Sequence, residues 1–219
     1  MKIVLQLVLW VVIGVLGYLV FNSVMGPVRF NKVKEARYAK AIENLRDIRQ
    51  AELAHKTVVG RFEKDPTKLI AFIDTAKFTL TQRRDSSFVR FNKILQIDEP
   101  KDTVVVDTLG YASVKDSLFK GSDRYKTMMT VPVEGKDAKF ELDAGFIDKN
   151  GIRVSVFEAR VAKDILLHDL DRDLLFQEKQ IVSVEEVNGP FLSVGSMQEV
   201  NTKGNWPKIY DSNAGTTEE

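Results

Sequence analysis

Ile3 to Phe21 is an almost unbroken apolar run in which Gln6 is the only strongly polar side chain. Nineteen residues at the helical rise span about 28 Å, close to the hydrocarbon thickness of a bilayer. A processed signal peptide and a buried core helix are the competing readings of such a segment. A signal peptide needs a basic n-region, a shorter apolar core and small residues before the cut. Here the run starts at once and ends in Phe21-Asn22-Ser23-Val24-Met25, so the expectation is an uncleaved transmembrane anchor over residues 1–25. Trp10 lies inside the run, whereas Tyr18 and the Arg29/Lys32 pair fit the interfacial role better. Gly14 and Gly17 are too close together for a GxxxG pairing motif.

The rest of the chain reads as water-soluble. Of 219 residues, 44% are hydrophobic and 29% charged, enough for one substantial core beyond the anchor. Thirty-two basic against 31 acidic residues leave no global field to recruit nucleic acid or an acidic ligand. The absence of cysteine excludes disulfides, thiolate metal sites and a cysteine nucleophile. Orientation is contested by the charges: only Lys2 and the α-amino group precede the span, while Arg29, Lys32, Lys34, Arg37 and Lys40 follow it, diluted by Glu35. A literal positive-inside count therefore opposes a periplasmic domain.

Gly26-Pro27 predicts a break or kink, because proline lacks a donor and disfavours helix in the residue before it. Residues 26–76 then read as an amphipathic extension and a short second helix. Between Asn31 and Val58, Tyr38, Ala41/Ile42, Leu45, Ile48 and Ala51 recur at spacings of three and four, with Lys40, Glu43, Arg46, Asp47 and Arg49 mostly elsewhere. Those charges read as a solvated face, or as a basic patch against anionic lipid. Gly60 ends that helix. Asp65-Pro66 supplies an N-cap and a proline at the first helical position, and Leu69, Ile70, Phe72 and Ile73 carry a second helix to about Ala76.

From residue 77 to 211 the period shifts toward two. The segments 78–81, 103–108, 127–133, 139–147 and 152–161 predict strands, separated by turns at Lys120-Gly121-Ser122-Asp123, Glu134-Gly135-Lys136 and Asp148-Lys149-Asn150-Gly151. Asn150-Gly151 is the strongest hairpin signal. Further β structure is expected over 181–187, 191–200 and 206–210, with Trp206 and Tyr210 covering the sheet, and residues 212–219 read as a frayed, disordered tail. The fold class expected is α+β: one N-terminal transmembrane helix, its amphipathic extension, and a mainly antiparallel sheet domain packed on it.

The stretch Ala41-Ile42-Glu43-Asn44-Leu45-Arg46-Asp47-Ile48-Arg49-Gln50-Ala51-Glu52-Leu53-Ala54-His55-Lys56-Thr57-Val58-Val59-Gly60-Arg61-Phe62, behind an apolar helix, resembles the second half of a pilin or pseudopilin helix. The resemblance implies a glycine-aromatic turn, a short helix and an antiparallel sheet on the long helix. A prepilin peptidase site is missing from the pattern, since there is no basic leader, no glycine before a cut, no following phenylalanine and no early glutamate, the first acidic residue being Glu35. The resemblance thus implies a protein that stays in the membrane. The whole chain, including Gly195-Ser196-Met197-Gln198-Glu199-Val200 and Gly204-Asn205-Trp206-Pro207-Lys208-Ile209-Tyr210, is also similar to uncharacterised membrane-anchored envelope proteins of Bacteroidetes, which implies an envelope setting.

No residue is singled out as catalytic, cofactor-binding or metal-ligating. His55 and His168 are isolated and read as packing or surface residues. Asp169-Leu170-Asp171-Arg172-Asp173 starts like a calcium loop, but Leu174 stands at the glycine position and Gln180 at the bidentate glutamate position, so a solvated face or helix cap is expected. Phosphate loops of the GxxxxGK[ST] and GxGxxG kinds and a GxSxG elbow are absent. The serines around Ser113-Val114-Lys115-Asp116-Ser117 have no identifiable base. Arg83-Arg84 and Arg90 with Phe88 and Phe91 suggest a nucleic-acid patch, but Asp85 and the strand-like aromatics favour an exposed loop with sheet packing. The expectation is a non-enzymatic, membrane-anchored structural or assembly subunit of a secretion- or pilus-like complex in the bacterial inner membrane. It would be single-pass, with a periplasmic domain that contacts lipid through its helix and other envelope proteins through its surface, without cofactor or nucleic acid. The alternative is a tethered enzyme or ligand-binding module, betrayed by a deep polar pocket holding Asp169, Asp171 or His168.

Overall fold

A computed structural model describes residues 2–92, 96–183 and 185–212. Helix α1 (Lys2–Val59) leads into α2 (Pro66–Thr75), then β1 (Lys77–Asn92), β2 (Ile97–Ser113) and α3 (Val114–Phe119). A 3-10 turn (Arg124–Lys126) precedes β3 (Glu141–Lys149), β4 (Ile152–Ala162), α4 (Lys163–Leu166), α5 (Arg172–Lys179), β5 (Phe191–Gly195) and α6 (Ile209–Ser212). The architecture is α+β and pilin-like in layout: a long apolar helix, an adjoining short helix and two antiparallel sheets, β1-β2 and β3-β4-β5.

Of the break or kink expected at Gly26-Pro27, the break does not occur, since α1 is helical through Pro27. Proline withholds one donor, from the Ser23 carbonyl, but both flanking halves have independent reasons to stay helical. The apolar half would leave backbone groups unsatisfied in lipid if it unwound. The other half docks on the core from Phe30 onward. Between these halves the environment changes abruptly: the large apolar residues from Ile3 to Phe21 whose surroundings are described are all exposed, with nothing in the domain covering them. This part of α1 is the membrane anchor.

The apolar stripe of α1 is the spine of the core. Tyr38, Ala41, Ile42, Leu45, Ile48 and Ala51 are all buried, joined by Phe62, Leu69 and Ile73, and they meet Phe157, Ala159 and Val161 of β4 and Leu192 and Val194 of β5. Asp65 caps α2 as expected, its carboxylate accepting the Thr67 N–H at 2.9 Å. Asn150 and Gly151 both have positive φ, the type I′ geometry that joins β3 to β4 with a two-residue loop.

Four expected β segments are corrected. Residues 127–133 form turns and a single bridge, Thr130 to Lys139, with Met128, Met129 and Val131 buried as irregular core. Pro132, lacking a donor, cannot sit within a central ladder. Residues 181–183 and 185–187 are irregular, and β structure in 191–200 stops at Gly195. The last is 206–210, where Trp206 is a buried core residue and Tyr210 lies in α6 beside α1 instead of forming a strand. Lys120-Gly121 is a left-handed ending to α3, a helix not expected from the sequence. Of the expected tail, Ser212 ends α6 and 213–219 lie outside the described residues.

Gly195 marks the tightest backbone approach in the sheet. Its φ is +79°, and a Cβ there would lie 2.3 Å from the Phe157 carbonyl oxygen. Gly195→Ala is expected to cost at least ~2 kcal/mol through strain and backbone displacement. Chemical denaturation of the two proteins checks this: an unchanged midpoint would contradict the packing.

Candidate functional site

The histidines, aspartates and serines singled out in the sequence take up structural duties. His55 is buried, its Nδ1 2.7 Å from the Arg61 carbonyl and its ring edge-on to Phe72 at 4.7 Å. His168 Nδ1 lies 3.2 Å from the Ile165 carbonyl oxygen. Asp169 accepts both branches of the Arg37 guanidinium, at 2.5 and 2.8 Å, and that hydrogen-bonded pair holds its carboxyl at about 2. Asp171 is the N-cap of α5, accepting the N–H groups of Asp173 and Leu174 at 2.9 and 3.0 Å. The alternating carboxylates thus open a helix, and no group of three or more potential ligands that could hold a metal occurs among the described residues. Ser113 caps α3, and the Ser117 hydroxyl donates to the Ser113 carbonyl at 2.8 Å.

Long-range electrostatics instead concentrate where α1 enters the domain. Lys163, fully buried, donates to the Glu178 carboxylate at 2.9 Å and to the carbonyls of Glu178 and Val187, each at 2.8 Å. Glu178 also accepts from Lys34 at 2.8 Å and from the Tyr38 hydroxyl at 3.2 Å, while Glu186 accepts from Lys34 at 3.2 Å. Burial pushes the Lys163 ammonium below its ordinary range. For Lys34 burial pulls in the same direction, but hydrogen bonds and charges from Glu178 and Glu186 together outweigh it and raise the group. Burial, reinforced by Glu178, raises the Tyr38 phenol so that it stays a donor. All four buried groups have partners, the condition under which buried charge is tolerated. An open groove of about 790 Å³ runs beside this cluster, lined in part by Lys34, Tyr38, Glu43, Arg46, Glu186 and Tyr210. Neither Asp169, Asp171 nor His168 lines it.

Two further carboxylates on α1 are buried. Asp47 faces Arg124 at 3.1 Å, and burial, partly opposed by that arginine and reinforced by Glu43, raises it to about 6. Glu52 is wholly buried; one oxygen accepts the Glu63 N–H at 3.0 Å and the other has no hydrogen-bond partner. Burial raises it to about 8, although the backbone hydrogen bond opposes the shift. A carboxyl with a raised folded-state pKa favours the folded protein below its unfolded value and loses that contribution as pH rises. Stability is therefore expected to fall between about pH 4.5 and 8, and Glu52→Gln to flatten the decline. Thermal melts across that range test it: equal slopes in both proteins would exclude Glu52 as the source.

The second unusual surface is the β1-β2 ribbon. The two strands pair continuously from Lys77↔Ser113 to Asn92↔Ile97, apart from one irregularity at Leu80/Thr81, and extend ~50 Å at the strand rise. Arg83, Arg84 and Arg90, with Phe88 and Phe91, belong to β1, so the expected exposed loop with packed aromatics is corrected to a paired strand with solvent on both faces. Phe88 is 48% and Val89 67% exposed, and Leu80, Phe91, Val104, Val106, Leu109 and Tyr111 are exposed as well. Arg84 pairs with Asp107 across the ribbon at 2.6 Å. The sequence marks only 78–81 and 103–108 of this element, because charged and apolar residues alternate irregularly over the rest.

No family model, curated protein or solved structure matches the chain.

Proposed function

We propose that the protein is a non-enzymatic structural or assembly subunit of a bacterial envelope complex, secretion- or pilus-like in kind, acting through protein–protein contacts. It would sit in the inner membrane with its domain on the periplasmic side. The ribbon carries this reading: large apolar side chains stand exposed on both faces of a long two-stranded sheet, and exposed apolar surface of that extent marks an interaction site. A two-stranded ribbon is marginal alone in water and gains from added strands or a packing partner. Support also comes from the histidines and carboxylates that catalysis would use, since they serve as caps, clamps and packing. The periplasmic orientation is supported by the duties of two post-span cations. Lys34 binds Glu178 and Glu186, and Arg37 binds Asp169, so both have a structural reason to follow the span.

Co-purification in detergent tests the reading, comparing the intact chain with one in which residues 81–108 are replaced by an Asn-Gly turn. Envelope proteins should accompany the first and be lost from the second. An identical partner set in both would refute a role for the ribbon, and a reporter fused after Tyr210 that is active only in the cytoplasm would refute the orientation. The groove beside α1 favours a second reading, a tethered ligand-binding module. Loss of function on Arg46→Ala, with partners unchanged, would support it.

A further inference from the structure

We infer that copies of this chain join through their ribbons, β2 of one copy pairing edge to edge with β1 of the next to make a continuous antiparallel sheet. This deepens the assembly reading by naming the partner as a second copy, and it rests on that reading. Both outer edges of the ribbon are available, since among the described residues β1 pairs only with β2 and β2 only with β1. Along each outer edge, alternate backbone N–H and C=O groups point away from the partner strand, the usual template for adding a strand.

Charge selects which edges meet. By sequence β1 carries Lys77, Arg83, Arg84 and Arg90 against Asp85 alone, whereas β2 carries Asp98, Glu99, Asp102 and Asp107 against Lys101 alone. One edge is basic and the other acidic. A two-fold pairing of β1 with β1 would set arginine rows against each other, and β2 with β2 would do the same to carboxylates, arrangements that are unfavourable across strands. Pairing β2 with the neighbour's β1 places each acidic strand between two basic ones. It also extends the Arg84–Asp107 contact already made inside the ribbon.

The anchor makes the same choice on geometric grounds. Copies held in one bilayer by α1 and related by rotation about the membrane normal carry their ribbons in the same direction. The strands of one ribbon are antiparallel. Hence β2 of one copy runs antiparallel to β1 of its neighbour without any copy being inverted in the membrane. Such a contact is heterologous, and it closes into a ring or continues as a row according to the rotation per copy.

Because the chain has no cysteine, the pairing can be read by introduced thiols. Ser86 of β1 and Thr103 of β2 face each other inside one ribbon and so occupy the same height along it. Full-length S86C and T103C, differently tagged and co-expressed, would be treated in membranes with a bismaleimide that tolerates a slip of two residues, ~7 Å. The expected product is the mixed S86C–T103C dimer, with little product from either variant alone. Same-variant dimers without the mixed one would overturn the proposal in favour of two-fold pairing. Substituting Arg83, Arg84 and Arg90 with glutamine should lower the mixed product roughly fivefold; an unchanged yield would overturn the charge selection. Photo-crosslinking residues at positions 86 and 103 separate the two levels of inference. Adducts to a different protein only would overturn self-pairing and leave the assembly role standing, whereas no adducts at all would overturn both.

Discussion

Glu178→Ala should lower the unfolding temperature by roughly 10 °C, the largest single-residue effect expected in this protein. The substitution removes the common acceptor of Lys163 and Lys34 and leaves an ammonium group enclosed without a counter-charge. Breaking a buried pair from one side costs about 3–5 kcal/mol, and a domain of this size loses ~2–4 °C per kcal/mol. Lys163 retains two carbonyl acceptors, and Lys34 retains Glu186, so the cost falls in the lower half of that range. Lys163→Met should cost less, because Glu178 keeps Lys34 and Tyr38 and the methionine fills the vacated space. Calorimetry of the three proteins decides the matter. A Glu178→Ala variant melting within about 2 °C of the parent would mean that the cluster is wetter than its geometry indicates.

A chain beginning at Gly26 should leave the membrane fraction and remain folded. Fourteen Ile, Leu, Val and Phe residues lie between Ile3 and Phe21. At ~0.3–0.6 kcal/mol each on insertion scales, they contribute roughly 4–8 kcal/mol to residence in the bilayer. Their removal reverses a partition of at least about a thousandfold. The domain keeps its core because Phe30 is the first buried hydrophobic residue of α1. Fractionation after lysis, followed by circular dichroism of the soluble material, measures both halves of the expectation. A truncated chain that stays with the membrane would place a second lipid contact on the domain, and one that is soluble but unfolded would mean that the span supports the fold.

The parts of this fold that are legible in sequence are those whose cause is local. The stripe from Tyr38 to Ala51 follows from helical spacing, the start of α2 from the chemistry of Asp65-Pro66, and the β3-β4 hairpin from two adjacent residues that tolerate positive φ. What escapes is set by distant partners. Lys34 and Glu178 are 144 positions apart and Lys163 and Glu178 15, so nothing near any of them signals a buried pair. Met128, Met129 and Val131 are apolar because they fill the core beside α1, and β-branched composition imitates a strand there. The ribbon, legible at 78–81 and 103–108, escapes elsewhere for the opposite reason. Its ladder is held by backbone hydrogen bonds, which need no alternation of side chains, and Arg83-Arg84-Asp85 therefore reads as a loop. Glu52 could have been suspected, since it lies next to Ala51 and three residues before His55 on a face that proves buried, but the charge itself argues for solvent.

The continuity of α1 past Pro27 couples the membrane to the domain mechanically. From Ser23 to Val59 the helix extends ~55 Å beyond the apolar segment, and the core is built directly on its side with no hinge in the secondary structure between. Rocking the anchor by about ten degrees would sweep the far end sideways by ~10 Å, a displacement set by the helical rise alone. Bilayer thickness, which governs how far a spanning helix leans, thereby becomes a coordinate along which the domain is aimed. Rotation of the span about its own axis would likewise turn the whole domain as a key turns its bit.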